Sequence, residues 1–151
     1  MHDAPILICY DGSDASRRAI DATAALLGPR HAVVVYVAPS LTLAESLTVT
    51  TTVTAGPTLE DLGGDPMDGH AKEGTELARR AGFTAQPREL VMTPAWEGIL
   101  DVADDVDAAL IVTGARSPKG IRERIGAGTS HGVAEHSRRP VLIVPPERQP
   151  R

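Results

Sequence analysis

Residues 108–132 read AALIVTGARSPKGIRERIGAGTSHG and join an apolar run to a glycine-rich segment. The run AALIVTG (108–114) has the length and apolar content of a strand that is buried on both faces. The segment after it is rich in glycine, and a helix is predicted to begin near Gly128. Such a segment can hold a phosphate, or it can be only a flexible turn.

Apolar runs bounded by turn residues predict four more strands, and helical spacing predicts the elements between them. The predicted strands are 5–10, 32–38, 86–92 and 140–144, and the predicted helices are 14–27, 67–82, 93–107 and 128–137. Ser13 or Asp14 is expected to cap the first helix, and Thr93 the third, with Pro94 in its first turn. Pro87 and the neighbouring charges indicate that strand 86–92 lies at an edge. Residues 39–65 are expected to be a functional or mobile loop.

Strands that alternate with helices predict an α/β fold, in which a mostly parallel sheet has helices on both faces. The length of 151 residues indicates one domain, which we place at 1–146, with a disordered tail at 147–151. The net charge of −5 and the aromatic content of 3% argue against nucleic-acid binding. No apolar run is long enough to span a membrane, and no secretory signal is evident, so we expect a cytoplasmic protein. The single cysteine, Cys9, is interpreted as a small buried hydrophobic residue.

Ligands of open α/β sheets bind beyond the carboxyl ends of the strands. Asp11 and Gly12 follow the first strand, and Thr113 and Gly114 end the fourth. If these strands are neighbours, both ends face one crevice, where glycines, free N–H groups and a helix N-terminus favour an anion. Four cations (Arg116, Lys119, Arg122 and Arg124) and three hydroxyl residues (Ser117, Thr129 and Ser130) could add contacts. The glycine spacing is neither the dinucleotide fingerprint nor the phosphate-loop pattern.

From ILICYDGSDASRRAIDAT (6–23) to DAALIVTGARSPKGIRERIGAGTSHGVAEHSRRPVLIV (107–144), the chain resembles the universal stress protein family. The resemblance implies a three-layer α/β/α fold whose five-stranded sheet has the order 3-2-1-4-5. ATP-binding members share a loop with Gly, two residues, Gly, nine residues, Gly and Ser/Thr. Gly114 matches the first glycine, whereas Ser117 and Ala127 stand at the other two; a shift of one residue places Gly128 and Thr129 on the final pair.

By this resemblance, Asp11 contacts the adenine or ribose, and Val37 lines the base pocket beside Thr113 and Gly114. The predicted nucleotide-binding residues are Asp11, Gly12, Val37, Thr113, Gly114, Arg116, Ser117, Gly128, Thr129 and Ser130. The expected ligand is ATP or a related adenine nucleotide, with or without Mg²⁺. The main hypothesis is a dimeric stress-response regulator. An interaction module without nucleotide and a slow ATPase are the alternatives.

The residues outside this set indicate neither catalysis nor a metal site. No convincing set of catalytic residues is present, so at most slow ATP hydrolysis is expected. His131 and His136 are five positions apart and fall on different faces of a helix, which argues against a shared metal. His70, near Asp65 and Asp68, is interpreted as part of a solvated face.

The last strand, PVLIV (140–144), is apolar throughout. At an edge of the sheet, it would expose unpaired backbone groups that need cover. We expect a homodimer in which this strand pairs with its copy, which the family resemblance also implies. The alternative is an edge that the tail and Arg138–Arg139 guard.

Overall fold

A computed structural model describes residues 3–38, 40, 69–116 and 128–147. The elements of this part are β1 (Ile6–Cys9), α1 (Asp14–Leu27), β2 (His31–Ala38), α2 (His70–Arg80), β3 (Thr84–Val91), α3 (Ala95–Asp105), β4 (Leu110–Gly114), α4 (Thr129–His136) and β5 (Val141–Val144). The predicted loop at 39–65 lies outside the described residues except for Ser40, and so do residues 148–151 of the predicted tail.

The five strands form one parallel sheet in the order β3-β2-β1-β4-β5, which confirms the predicted topology. β1 is the central strand, and Ile6, Leu7 and Ile8 have no exposed surface. Its two neighbours are β2 and β4, so chain order reverses at β1. This is the switch point at which open α/β sheets bind their ligands.

Helices cover both faces of the sheet, because the strand side chains alternate between two apolar clusters. Ile6 and Ile8 of β1 belong to the cluster that also contains Ile20 of α1 and Ala78 of α2. Leu7 belongs to the other cluster, which contains residues of α3 and α4, namely Ile99, Val102, Ala103 and Val133. The burial of both faces explains why the central strand β1, ILIC, is apolar throughout, whereas the edge strand β3, TAQPRELV, carries polar and charged residues.

The helix ends agree with the sequence at α1 and differ at α3. The Ser13 side chain accepts a hydrogen bond from the Ser16 N–H at 3.2 Å, and Gly28 ends α1 with a φ of 68°. The prediction that Thr93 caps α3 is wrong, because Pro94 is the N-cap residue and no side chain in the described part of the chain caps this helix. The Thr93 hydroxyl instead accepts a hydrogen bond from the Ser40 N–H at 2.9 Å.

β3 is an edge strand, as predicted. The backbone N–H groups of Thr84 and Met92 donate to the carbonyls of Arg30 and Ala38. The backbone N–H groups of the even-numbered residues of β3 therefore point towards β2, and those of the odd-numbered residues point away from it. Pro87 therefore lies on the outer side, where its missing N–H costs no ladder hydrogen bond. The outward carbonyl of Ala85 accepts a hydrogen bond from Arg79 Nε at 3.2 Å.

β5 is the opposite edge, and Ile143 there is 40% exposed. The Arg139 side chain contacts the end of α3 and the segment after it, through Asp104, Asp107 and the Ala108 carbonyl. Arg139 thus has partners within the chain, and the choice between a paired and a guarded edge stays a prediction.

Trp96 of α3 packs against α4. Its ring stacks on His136, with the ring centroids 4.2 Å apart and an angle of 12° between the planes. A side chain at Gly132 would overlap the Trp96 ring, so the glycine permits the two helices to approach closely. Within the described residues, no helix combines the length and the apolar character that crossing a membrane requires.

Candidate functional site

The predicted site residues of β1, β2 and β4 lie at one edge of the sheet. Cys9 pairs with Val35 and Ile8 with Val112. Continued by a few residues, this register places Asp11 level with Val37 on one side and just beyond Gly114 on the other. The carboxyl ends of β1, β2 and β4 therefore meet, as the sequence predicts.

The turn between β1 and α1 presents the carboxylate of Asp11. Gly12 has a φ of 80°, a conformation that glycine adopts without strain. The Ser13 N–H donates to Asp11 Oδ1 at 3.0 Å, so the side chain is fixed by its own turn. The Asp11 side chain remains 42% exposed and accessible to a ligand.

Arg116 forms an ion pair with Asp11, through its Nη2 and Asp11 Oδ2. Partial burial raises the pKa of Asp11, but the hydrogen bonds from Ser13 and the ion pair with Arg116 outweigh it and leave that pKa below its usual value. Asp11 is therefore a carboxylate at neutral pH, and the two predicted site residues contact each other directly.

Gly114 has a packing role that sequence reasoning missed. A side chain at this position would overlap the backbone carbonyl of Ala15 in the first turn of α1. The end of β4 and the start of α1 are thus in van der Waals contact, which only glycine permits. This contact holds the β1–α1 turn beside the end of β4.

Two hydroxyl groups join the end of β4 to the start of α4. Ser130 Oγ donates to the Gly114 carbonyl at 3.0 Å, and the buried Thr113 hydroxyl is hydrogen-bonded to Ser130. Thr113 and Ser130, which the sequence predicted as ligand contacts, thus have internal partners. Thr129 is exposed.

The start of α4 offers backbone donors to this edge. Gly128 is the N-cap residue; within the described residues, no side chain caps the helix and a side chain at Gly128 would meet no atom within 4 Å. The first N–H groups of a helix lack intrahelical partners, and the helix dipole favours an anion there. Ser117 and the rest of 117–127 lie outside the described residues, so their predicted role stays a prediction.

Sequence reasoning also missed how α2 supports the β1–α1 turn. Tyr10 is buried, and its hydroxyl donates to Glu73 Oε1 at 2.7 Å. The same oxygen accepts from Arg17 at 2.7 Å, and these two hydrogen bonds hold the pKa of Glu73 below its usual value. Burial, reinforced by the hydrogen bond to Glu73, raises the pKa of Tyr10. Gly74 makes room for the Tyr10 ring, because a Cβ there would lie 2.6 Å from it.

His70 does not lie on a solvated face, which corrects the sequence interpretation. Its ring lies 4.6 Å from the Tyr36 ring between centroids. A Cβ on Gly12 would lie 3.1 Å from His70 Nδ1, so the histidine packs beneath the β1–α1 turn. Nδ1 is shut off from solvent and has no hydrogen-bond partner among the described residues.

Cys9, His131 and His136 are the other potentially reactive side chains of the described residues that the sequence singles out. Burial, with the charge of Asp11 as a smaller cause, raises the pKa of Cys9 to about 12, so the thiol stays protonated. His131 lies 3.4 Å from Glu135, and His136 Nδ1 lies 3.0 Å from the Gly132 carbonyl. The two histidines therefore have separate partners.

A groove of about 560 Å³ lies between α2 and β3. Its lining includes Lys72, Arg79, Pro87 and Glu89, and none of the predicted site residues. The carboxyl ends of the strands, where Asp11 and Arg116 meet, remain the candidate site.

The fold and the position of this site define a Rossmann-like α/β protein whose polar residues gather at the carboxyl ends of parallel strands. The profile of the universal stress protein family matches residues 4–145. The chain therefore belongs to the universal stress protein family, which confirms the resemblance seen in the sequence. A comparison with curated proteins found no match.

Solved structures share this fold. A universal stress protein in complex with cAMP is 26% identical, with 93% of this chain and 95% of that chain covered and a TM-score of 0.65. A Burkholderia pseudomallei protein of the family is 23% identical, with coverages of 95% and 96% and a TM-score of 0.61. The Archaeoglobus fulgidus universal stress protein in complex with dAMP is 21% identical, with coverages of 93% and 96% and a TM-score of 0.55.

Proposed function

We propose that this chain binds an adenine nucleotide, ATP foremost, at the carboxyl ends of β1 and β4. The observation that carries the proposal is the meeting of the Asp11 carboxylate, the Arg116 guanidinium and the start of α4, which no described side chain caps, at one edge of the sheet. Carboxylates accept hydrogen bonds from ribose or base, and guanidinium and helix N–H groups bind phosphate. The related structure at 26% identity, which contains cAMP, supports an adenine ligand.

Each predicted residue has a role in this proposal. Asp11 accepts hydrogen bonds from the ribose or base, and Val37 packs against the base. Arg116, Ser117 and the N–H groups after Gly128 bind the phosphates. Thr113, Gly114 and Ser130 hold the end of β4 against α4, and Gly12 permits the turn that presents Asp11. Binding without fast turnover suits a cytoplasmic regulator of a stress response.

The test is calorimetric titration of the purified chain with ATP, AMP and cAMP, with GTP as the control base. Asp11→Asn is expected to weaken adenine-nucleotide binding about tenfold or more, because a hydrogen bond to a charged group contributes about 1.5–3 kcal/mol. Asp21→Asn removes the same charge from the exposed side of α1 and should change the affinity less than twofold. If ATP, AMP and cAMP all fail to bind, or Asp11→Asn binds as tightly as the wild type, the proposed site is wrong.

The same preparation separates the alternatives. An interaction module without nucleotide would release no adenine compound on heat denaturation and would show no rise in melting temperature with ATP. A slow ATPase would release phosphate continuously, and Asp11→Asn would reduce that release. Titrations with and without Mg²⁺ determine whether the metal accompanies ATP.

A homodimer through β5 is the second part of the proposal. β5 is an edge strand of four apolar residues, and Ile143 on it is 40% exposed. A two-fold axis beside β5 would pair the strand with its copy and cover this side chain.

Ile143→Glu should convert the dimer into a monomer, as measured by light scattering after size exclusion. Leu26→Glu is the matched control, because Leu26 is an apolar residue that is 68% exposed and belongs to α1, outside β5. A wild-type monomer, or an Ile143→Glu variant that remains dimeric, would exclude this interface.

A further inference from the structure

The ion pair between Asp11 and Arg116 occupies the carboxylate that the proposed function assigns to the ligand. Asp11 Oδ1 accepts from the Ser13 N–H, and Oδ2 is paired with Arg116. Both oxygens therefore have a partner before any ligand arrives. The two residues are 105 positions apart in the chain, so the pair bridges the β1–α1 turn and the end of β4.

The backbone on both sides of this pair is fixed. The N–H of Ala115, next to Arg116, donates to the Val144 carbonyl at 2.8 Å. Gly114 lies against the backbone of Ala15, and Ser13 holds Asp11 within its turn. A ligand that needs Asp11 Oδ2 is therefore expected to displace the exposed Arg116 side chain and not the backbone, because these contacts hold both segments in place.

The Arg116 side chain can be displaced, because it is 65% exposed and its described partner is half-exposed. Exposed ion pairs are weak and are screened by salt. Guanidinium binds phosphate through paired N–H donors at least as well as it binds carboxylate. A phosphate near the start of α4 can thus take Arg116 over from Asp11, whereas an uncharged ligand offers no replacement.

We propose that the Asp11–Arg116 pair makes this site select phosphate-bearing adenine nucleotides over the corresponding nucleosides. A nucleotide exchanges one ion pair for another and releases the Asp11 oxygen for its ribose or base. A nucleoside must break the pair without compensation. The inference rests on the proposed function and adds to it a specificity-determining residue, Arg116. This residue raises the affinity for nucleotides and lowers the affinity for nucleosides.

The experiment compares adenosine and AMP binding to the wild type and to Arg116→Gln at low salt. The variant should bind AMP about tenfold more weakly, because a charge-assisted hydrogen bond is lost. It should bind adenosine about two- to fivefold more tightly, because Asp11 is no longer occupied. Arg116→Lys keeps the charge without the paired N–H donors and should recover part of the AMP affinity. Arg138→Gln, which replaces an exposed arginine beyond α4, should change the affinity for neither ligand.

The opposite signs distinguish this inference from the proposed function itself. If Arg116→Gln weakens the binding of adenosine and of AMP equally, or leaves the affinity for adenosine unchanged, the selection by the ion pair is overturned while nucleotide binding stands. If neither adenosine nor AMP binds the wild type, the selection between them is overturned, whereas the proposed function is wrong only if ATP and cAMP also fail to bind. Melting temperatures of all variants within a few degrees of the wild type establish that the changes arise at the site.

Discussion

The two halves of the candidate site are held in place by different groups, one by side chains and the other by backbone. The β1–α1 turn is supported by side chains: the buried Tyr10 ring, its hydrogen bond to Glu73 and the His70 ring beneath Gly12. The end of β4 and the start of α4 rely on glycine and backbone, with Gly114 against Ala15 and Gly128 open to solvent. The first half fixes a carboxylate, whereas the second places at the same edge the start of a helix, whose first N–H groups lack intrahelical partners.

The largest expected loss of stability comes from a side chain placed at Gly114, where the two halves are in contact. Gly114→Val would place side-chain atoms inside the Ala15 backbone, and we expect a loss of more than about 3 kcal/mol in the free energy of unfolding. Gly128→Ala is the control, because its added methyl group meets no atom of the described residues within 4 Å and its φ is −56°. Urea denaturation measures both. A Gly114→Val variant as stable as Gly128→Ala would show that the two halves are not in contact.

A smaller effect is expected from the side-chain half alone. Tyr10→Phe removes the hydroxyl that donates to Glu73 but leaves Arg17 bound there, so the free energy of unfolding should fall by about 1 kcal/mol. Tyr36→Phe is the matched control, since the described residues offer its hydroxyl no hydrogen-bond partner. If both variants lose the same stability in thermal denaturation, the Tyr10–Glu73 hydrogen bond contributes nothing specific.

The smallest effect concerns the ion pair that joins the halves. Burial raises the pKa of Asp11, and Ser13 and Arg116 lower it further than burial raises it. Because the folded pKa is depressed, the stabilisation is present above the unfolded value of about 3.9 and is lost as the pH falls through the folded pKa.

Arg116→Gln should therefore raise the pKa of Asp11, which carboxyl chemical shifts in an NMR titration measure directly. The variant should be less stable than the wild type at neutral pH, and this difference should shrink in acid. An unchanged Asp11 titration midpoint in Arg116→Gln would mean that the pair does not form in solution.

The sequence predicts the strands and helices well, because the apolar runs and helix-end residues that specify them lie close together in the chain. Apolar runs such as ILIC in β1 and HAVVVYVA in β2 are strands buried on both faces, and Ser13 and Gly28 delimit α1 as expected. The strand order, in contrast, came from the family resemblance. The start of α3 was misplaced because the Thr93 hydroxyl bonds the distant Ser40 N–H.

The site was predicted less completely, because its packing depends on distant partners. Asp11 and Arg116 were found as separate candidates, but their pairing across 105 positions leaves no trace in the local sequence. Gly114 was assigned to ligand approach, whereas its contact with Ala15 becomes evident only once α1 lies over β4. His70 stands beside acidic residues in the sequence, and its burial depends on Gly12 and Tyr36, which come from other elements.

The stacked pair of Trp96 and His136 has a practical consequence. The chain contains a single tryptophan, and it contacts the same short helix whose first residues form part of the proposed phosphate site. Its ultraviolet emission is therefore an intrinsic reporter of that helix, free of interference from other indole groups. Ligand titrations and stopped-flow measurements can be made on the unlabelled protein.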